Sequence, residues 1–224
     1  MPNLPLNVLV VGASRGSGAA AVQALLAAGH RVTALSRQGR VPLPPMPGLT
    51  VVAGDALRAA DLDRVLPGHD AVVVTLGISE PAWRVRLRGP RHTPSDVRSR
   101  GTQCVVEAMQ RHGVRRLVVQ TSYGVGATRA HLPGLYRLMF ALLLKPQIED
   151  TERQEQVVRA SGLDWVLVQP VNLTDRLVPA PAFASAAGEV RGMQVARGQV
   201  GRFLAQAVAV PDWVGRTVAL SAPG

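Results

Sequence analysis

The chain has 224 residues, 47% hydrophobic and 18% charged, a balance that excludes a disordered polar tract and suits one α/β domain with a full core. Its 25 basic and 15 acidic residues leave a net charge of +10, which favours anionic ligands. Only eight residues are aromatic and they are scattered, so no base-stacking platform supports nucleic-acid binding, and no apolar run approaches the ~20 residues a membrane-spanning helix needs.

Apolar strand-like runs alternate with helix-like segments. Residues 6–12 form the first predicted strand and 17–28 the first helix, with Gly12, Gly16 and Gly18 between and just inside them. RVTALS (31–36) is the second strand, followed by a proline-rich connection at 41–48. LTVVAG (49–54) is the third strand, 60–66 a helix with Asp61 in its first turn, and DAVVVTLG (70–77) the fourth strand. Residues 95–112 form a helix stopped by Gly113, and RRLVVQTS (115–122) is the fifth strand. A helix at 147–161 ends at Gly162, and DWVLVQP (164–170) is the sixth strand. A helix at 201–210 and a strand at 216–221 complete the chain. Strands apolar on both faces and separated by helices predict a doubly wound parallel sheet with helices on both faces. The whole chain, 1–224, reads as one domain, with a small substrate-covering segment around 171–198.

The stretch VLVVGASRGSG (8–18) carries the strongest chemical signal. Strand, glycine turn and helix in that order bring backbone N–H groups and a positive helix end against a pyrophosphate. Gly12, Ser14, Arg15, Gly16, Ser17 and Gly18 are therefore candidate cofactor residues. The end of the second strand chooses between NAD and NADP. An acid there would bond the ribose hydroxyls, but no Asp or Glu occurs from Gly12 to Ala53, and Ser36 is followed by Arg37 and then Arg40. A guanidinium fork binds a 2′-phosphate, so NADP(H) is the expected cofactor. Asp55 either bonds the adenine amino group or serves as a turn residue before the next helix. Leu76 and Gly77 should lie beside the adenosine ribose.

Thr121 and Ser122, at the tip of the fifth strand, should face the crevice where the nicotinamide sits, with Ser122 the candidate catalytic hydroxyl. Tyr123 and Tyr136 are the only tyrosines, and neither has a lysine four residues on, so no tyrosine–lysine acid is expected. The segment 83–100 holds six arginines. Arg84, Arg86 and Arg88 alternate, and they either line a basic lid for an anionic substrate or form a solvated face. The five histidines are dispersed and the single cysteine, Cys104, has no partner residue, so no metal site and no internal disulfide are expected. MPNLPLN lacks the basic region of a signal peptide, and one cysteine fits a reducing cytoplasm.

These blocks together resemble the atypical short-chain dehydrogenase/reductases of the NAD(P)-binding, NmrA-like branch, and within it the biliverdin-IXβ reductase/flavin reductase family. The resemblance rests on GASRGSG (12–18), GDALRAADLDRVLPGHDAVVVTLG (54–77), GTQCVVEAMQRHGVRRLVVQTS (101–122) and VVRASGLDWVLVQPVNLTD (157–175). It implies NADPH binding by the glycine loop, Arg37, Asp55 with Ala56 and Leu57, Leu76 with Gly77, Ser122, and Pro170 with Val171 beside the nicotinamide. Three positions depart from the family. Arg15 stands where the branch has its middle glycine, Asn172 where the reductases have histidine, and Thr151 where some relatives have lysine. Asn172 is thus the substrate-side candidate at that position.

An NADPH-dependent reductase is the expected function, passing hydride to a planar conjugated acceptor such as a flavin, linear tetrapyrrole or quinone. Such an acceptor takes its proton from water and needs little help from a side-chain acid. Two alternatives stay open: a non-catalytic NADP-sensing protein, and a sugar-nucleotide or steroid-type dehydrogenase. The expected partner is a small molecule, anionic if the arginines hold it; neither a membrane nor nucleic acid is expected, and the oligomeric state is open.

Overall fold

Strand β1 (Asn7–Val11) is apolar on both faces, with Val8 through Val11 all at most 1% exposed, and such a strand is stable only at the centre of a sheet covered on both sides. In the computed structural model, which describes residues 4–77, 93–132 and 145–224, β1 pairs in parallel with β2 (Arg31–Ser36) on one side and β4 (Ala71–Val74) on the other. Strand β3 (Leu49–Ala53) lies outside β2, and β5 (Arg116–Gln120) and β6 (Asp164–Pro170) continue beyond β4. Strand β7 (Asn172–Thr174) leaves the sheet to pair in parallel with β9 (Gln194–Ala196). Strand β10 (Arg216–Ser221) joins β6, and β8 (Phe183–Ser185) closes the edge, so the order is β3-β2-β1-β4-β5-β6-β10-β8. All pairs of this sheet are parallel except β10–β8 at its edge, so the sheet is the doubly wound, mostly parallel one that the sequence leads one to expect.

Alternation along the strands splits the core into two layers. Val8, Val10, Val73, Val118 and Val168 pack against α1 (Gly16–Ala27) and a C-terminal helix, α5 (Arg197–Ala209). Leu9, Val11, Val72, Val119 and Leu167 face α2 (Ala59–Val65), α3 (Val97–His112) and α4 (Lys145–Ala160). Each fully buried Val or Leu stabilises the fold by roughly 1.5–3 kcal/mol before entropy is counted. Helices α1 and α5 touch at Gly201, where a Cβ would stand 2.5 Å from the Ala20 carbonyl carbon.

Helix α3 is started by another helix. Its own N-cap residue, Asp96, makes no side-chain cap bond. Instead Asp150 of α4, 1% exposed, accepts from the N–H groups of Arg98 (3.0 Å) and Ser99 (3.2 Å) and from Ser99 Oγ (2.5 Å). A carboxylate on unpaired N–H groups at the positive end of a helix is favourable, and it locks α3 to α4. The segment 171–198 is not a bare loop: it carries β7, β8 and β9, each of three residues, too short to show a period.

Candidate active site

The turn after β1 needs its glycines. Gly12 has φ +92°, and a Cβ there would lie 2.9 Å from the Thr75 carbonyl oxygen. A Cβ on Gly18 would overlap the Gly12 carbonyl oxygen, so helix α1 approaches the end of β1 only because that side chain is absent. Thr75 Oγ1 donates to the carbonyls of Val11 (3.2 Å) and Gly12 (3.3 Å), which ties the turn to β4. Helix α1 carries no acid in its first turn, and its N-cap residue, Arg15, makes no side-chain cap bond. The positive helix end is thus available to an anion.

The turn opens on a cavity of about 610 Å³. Gly12, Ser14, Arg15, Gly16, Ser17 and Gly18 form one wall, and Arg37 stands at the end of β2. Asp55, Ala56 and Leu57 after β3, with Leu76 and Gly77 after β4, form another. The structure therefore brings these twelve sequence candidates together. A neighbouring cavity of about 590 Å³ is lined by Ser14, Arg15, Arg37 and Arg40, with three cations and no acid among its lining residues. Asp55 is engaged locally: its Oδ1 accepts from Leu57 N at 3.0 Å, and its own N–H donates to Asp61 Oδ2 at 2.9 Å. It is a turn residue that also lines the cavity.

Five further candidates stand off the main cavity. Thr121 is 1% exposed and its hydroxyl donates to Glu155 Oε1 at 2.8 Å, away from the cavity. Strand alternation explains this, because Gln120 and Thr121 project to opposite faces, and it is Gln120 that lines the cavity. Pro170 and Val171 are buried where β6 meets β10, Val171 N donating to Leu220 O at 3.0 Å. Asn172 is exposed at the start of β7. None of these four lines the main cavity, and neither does half-buried Ser122. Arg84, Arg86, Arg88 and Tyr136 lie outside the described residues.

Gln120, Arg98 and Arg197 are among the cavity residues that the sequence candidates do not include. Gln120 was within reach of the sequence reading, since period two separates it from Thr121. Arg98, in the first turn of α3, approaches Gly77, with Nη2 3.2 Å from where a Cβ would be. Burial pulls its guanidinium below the usual arginine range, and the carboxylate of Asp150 opposes that shift. Arg197, the first residue of α5, has no sequence signal at all; only the path of β9 brings it to the rim.

The chemistry of the lining is distinctive. Arg15, Arg37, Arg98 and Arg197 face one acid, Asp55, and among the described lining residues there is no His, Tyr, Lys, Cys or Glu. Tyr123 is 3% exposed, its hydroxyl donates to Gly188 O at 3.2 Å, and burial raises its pKa. Two buried polar atoms on the wall, Ser17 Oγ and Gln120 Oε1, have no hydrogen-bond partner among the described residues. Buried polar atoms without partners are uncommon and mark places where a ligand completes the bonding. Together with the glycine cradle, they fit a dinucleotide. Among the described residues no cluster of His, Cys, Asp or Glu could hold a metal ion, and no helix is long and apolar enough to cross a membrane.

Comparison with known proteins points to a nicotinamide cofactor. The NAD(P)H-binding family matches residues 12–211. A 3-beta-hydroxysteroid dehydrogenase of Mycolicibacterium neoaurum is 34% identical over 126 residues, which is 53% of this chain but only 32% of that protein. Among solved structures, a short-chain dehydrogenase/reductase of Veillonella parvula in complex with NADP superposes with a TM-score of 0.76 at 16% identity, covering 99% of this chain and 96% of that one. ChuY, an anaerobillin reductase of Escherichia coli O157:H7, gives a TM-score of 0.74 at 19% identity over 97% of each chain.

Proposed function

The chain belongs to the NAD(P)H-binding family, and from that premise we propose that it is an NADPH-dependent reductase acting on a planar conjugated small molecule. The observation that carries this proposal is the make-up of the described lining: it holds no His, Tyr, Lys, Cys or Glu, and its one carboxyl, Asp55, is engaged by the N–H of Leu57. A ketone needs a positioned acid as hydride arrives, because its alkoxide is a strong base. A flavin, quinone or linear tetrapyrrole delocalises the arriving charge and takes its proton from water.

A bound nicotinamide cofactor supplies the hydride. The residues of this chain bind, orient and neutralise. The N–H groups at the start of α1 and Ser17 Oγ hold the diphosphate, and Arg37 with Arg40 and Arg15 hold the 2′-phosphate. Gln120, with its unpartnered oxygen, is the group we assign to orienting the carboxamide or the acceptor. Leu173 of β7 lines the same cavity and brings an apolar side chain from the covering segment.

The partial likeness to a 3-beta-hydroxysteroid dehydrogenase favours a second class, a hydroxysteroid-type dehydrogenase. The deciding experiment follows NADPH oxidation optically against flavins, quinones, biliverdin and a ketosteroid. Consumption with the conjugated acceptors supports the proposal, and consumption with the ketosteroid alone overturns it.

A further inference from the structure

Asp175 follows the last residue of β7 and Arg197 follows the last residue of β9, and these two strands pair in parallel with Thr174 opposite Ala196. The pairing carries the two side chains out in register, and Arg197 Nη1 meets Asp175 Oδ1 at 2.7 Å. Asp175 is 88% exposed while Arg197 is 30% exposed. The aspartate therefore gives up little solvent, and the arginine is the built half of the pair.

Arg197 is poorly placed for its own helix. It is the first residue of α5, whose first turn holds no acid, and a cation there opposes the helix dipole. It does face the start of α1: Nε lies 3.5 Å and Cδ 3.7 Å from where a Cβ on Gly16 would be. The same cavity wall holds Ser17 Oγ, buried and without a partner among the described residues. One helix N-terminus, one orphaned hydroxyl and one guanidinium from a different element thus converge on one place.

We propose that Arg197 is a cofactor-binding residue, meeting the diphosphate from α5 beside Gly16 of the glycine turn, and that Asp175 competes with the diphosphate for it. This rests on the NAD(P)H-binding reading of the cavity and adds a residue from the covering segment to it. The competition is local. The 178–181 backbone is held independently, by Arg202 Nη2 on Val178 O (2.6 Å) and Ala180 O (3.0 Å) and by Gln199 Nε2 on Ala180 O (3.0 Å). Exchange of Asp175 for a phosphate therefore leaves that stretch in place.

The diphosphate is common to NADP and NAD, and the 2′-phosphate is not, so the two roles separate cleanly. Equilibrium titration of the full chain with NADP⁺ and with NAD⁺, by calorimetry, should show Arg197→Gln weakening both about tenfold with their ratio unchanged, the size of one charge-assisted contact. Asp175→Asn should strengthen both severalfold, because the competitor is gone. Arg37→Gln serves as contrast and should weaken NADP⁺ only. Circular dichroism and thermal midpoints check that each variant is folded, and Asp175→Asn, at an exposed site, provides the safeguard if Arg197→Gln misfolds. Folded Arg197→Gln with unchanged affinities, or folded Asp175→Asn that binds both nucleotides more weakly, overturns the assignment. A wild-type chain that binds neither nucleotide overturns the reading of the cavity itself, which is a different failure.

Discussion

Arg37 Nη2 donates to Thr93 Oγ1 at 3.2 Å, and this bond joins the residue after β2 to the segment that leads into α3, both on the wall of the main cavity. Thr93 is 7% exposed, so one arm of the otherwise exposed Arg37 guanidinium is tethered to a buried hydroxyl. A preorganised fork at this place is what a 2′-phosphate requires.

NADPH should therefore bind at least about tenfold more tightly than NADH, roughly 1.4 kcal/mol. Arg37→Ala should remove most of that difference while NADH affinity hardly changes. Calorimetric titration checks both; equal affinities in the wild type would contradict the assignment of Arg37 and Arg40.

Gln120 offers a trade between stability and function. Its Oε1 is buried without a partner among the described residues, a condition that costs about 1–3 kcal/mol. Gln120→Leu should raise the thermal midpoint by a few degrees, about 2–4 °C per kcal/mol in a chain of this size, and slow turnover about tenfold. A variant that loses stability and keeps full turnover would show the amide to be structural.

The main sheet is legible in the sequence because its strands are runs of Val, Leu and Ala bounded by Gly and Pro. Strands β2, β6 and β10 fall where the pattern puts them, and β1, β3, β4 and β5 within one to three residues. The three-residue strands β7, β8 and β9 are not legible, since they owe their existence to pairing partners distant in the chain. The cavity wall is legible for a related reason. The glycine turn, Arg37 and Asp55 to Leu57 act through local backbone, whereas Arg197 and Asp150 act through contacts that no local pattern encodes. Thr121 illustrates the limit, because naming the strand tip does not choose the face.

Glu155 of α4 anchors the tip of β5 from below. It is 1% exposed, its Oε1 accepts from Thr121 Oγ1 (2.8 Å) and Gln169 Nε2 (2.7 Å), and its Oε2 pairs with Arg159 at 3.0 Å. Glu155→Ala should destabilise the fold by about 3 kcal/mol, mostly from two buried partners left unpaired; the Arg159 pair, being partly exposed, contributes little. Glu155→Gln, which keeps an acceptor for Thr121, should lose about half as much. Urea midpoints read both values.

His30 sets an acid limit. It is 6% exposed, its Nδ1 accepts the N–H of Leu6 at 3.2 Å, and burial lowers its pKa. The unfolded chain takes up the proton near the ordinary value of about 6.5, while the folded chain resists it, so this contribution is full above about pH 6.5 and is lost as pH falls below it, by up to about 1.4 kcal/mol per unit. Urea midpoints measured from about pH 8 to about pH 5 should fall more steeply for wild type than for His30→Asn, which cannot protonate. Parallel curves would contradict a neutral, accepting His30.

The central claim is hydride transfer to a conjugated acceptor without a protein acid. It is tested most directly by the kinetic isotope effect on turnover with NADPH deuterated at the transferred position, measured with a flavin or biliverdin and, side by side, with a ketosteroid. A primary isotope effect with the conjugated acceptor, together with no detectable turnover of the ketosteroid, is the predicted result. Ketosteroid turnover with a primary isotope effect, abolished by Tyr136→Phe, would contradict the account and place the chain among acid-assisted dehydrogenases.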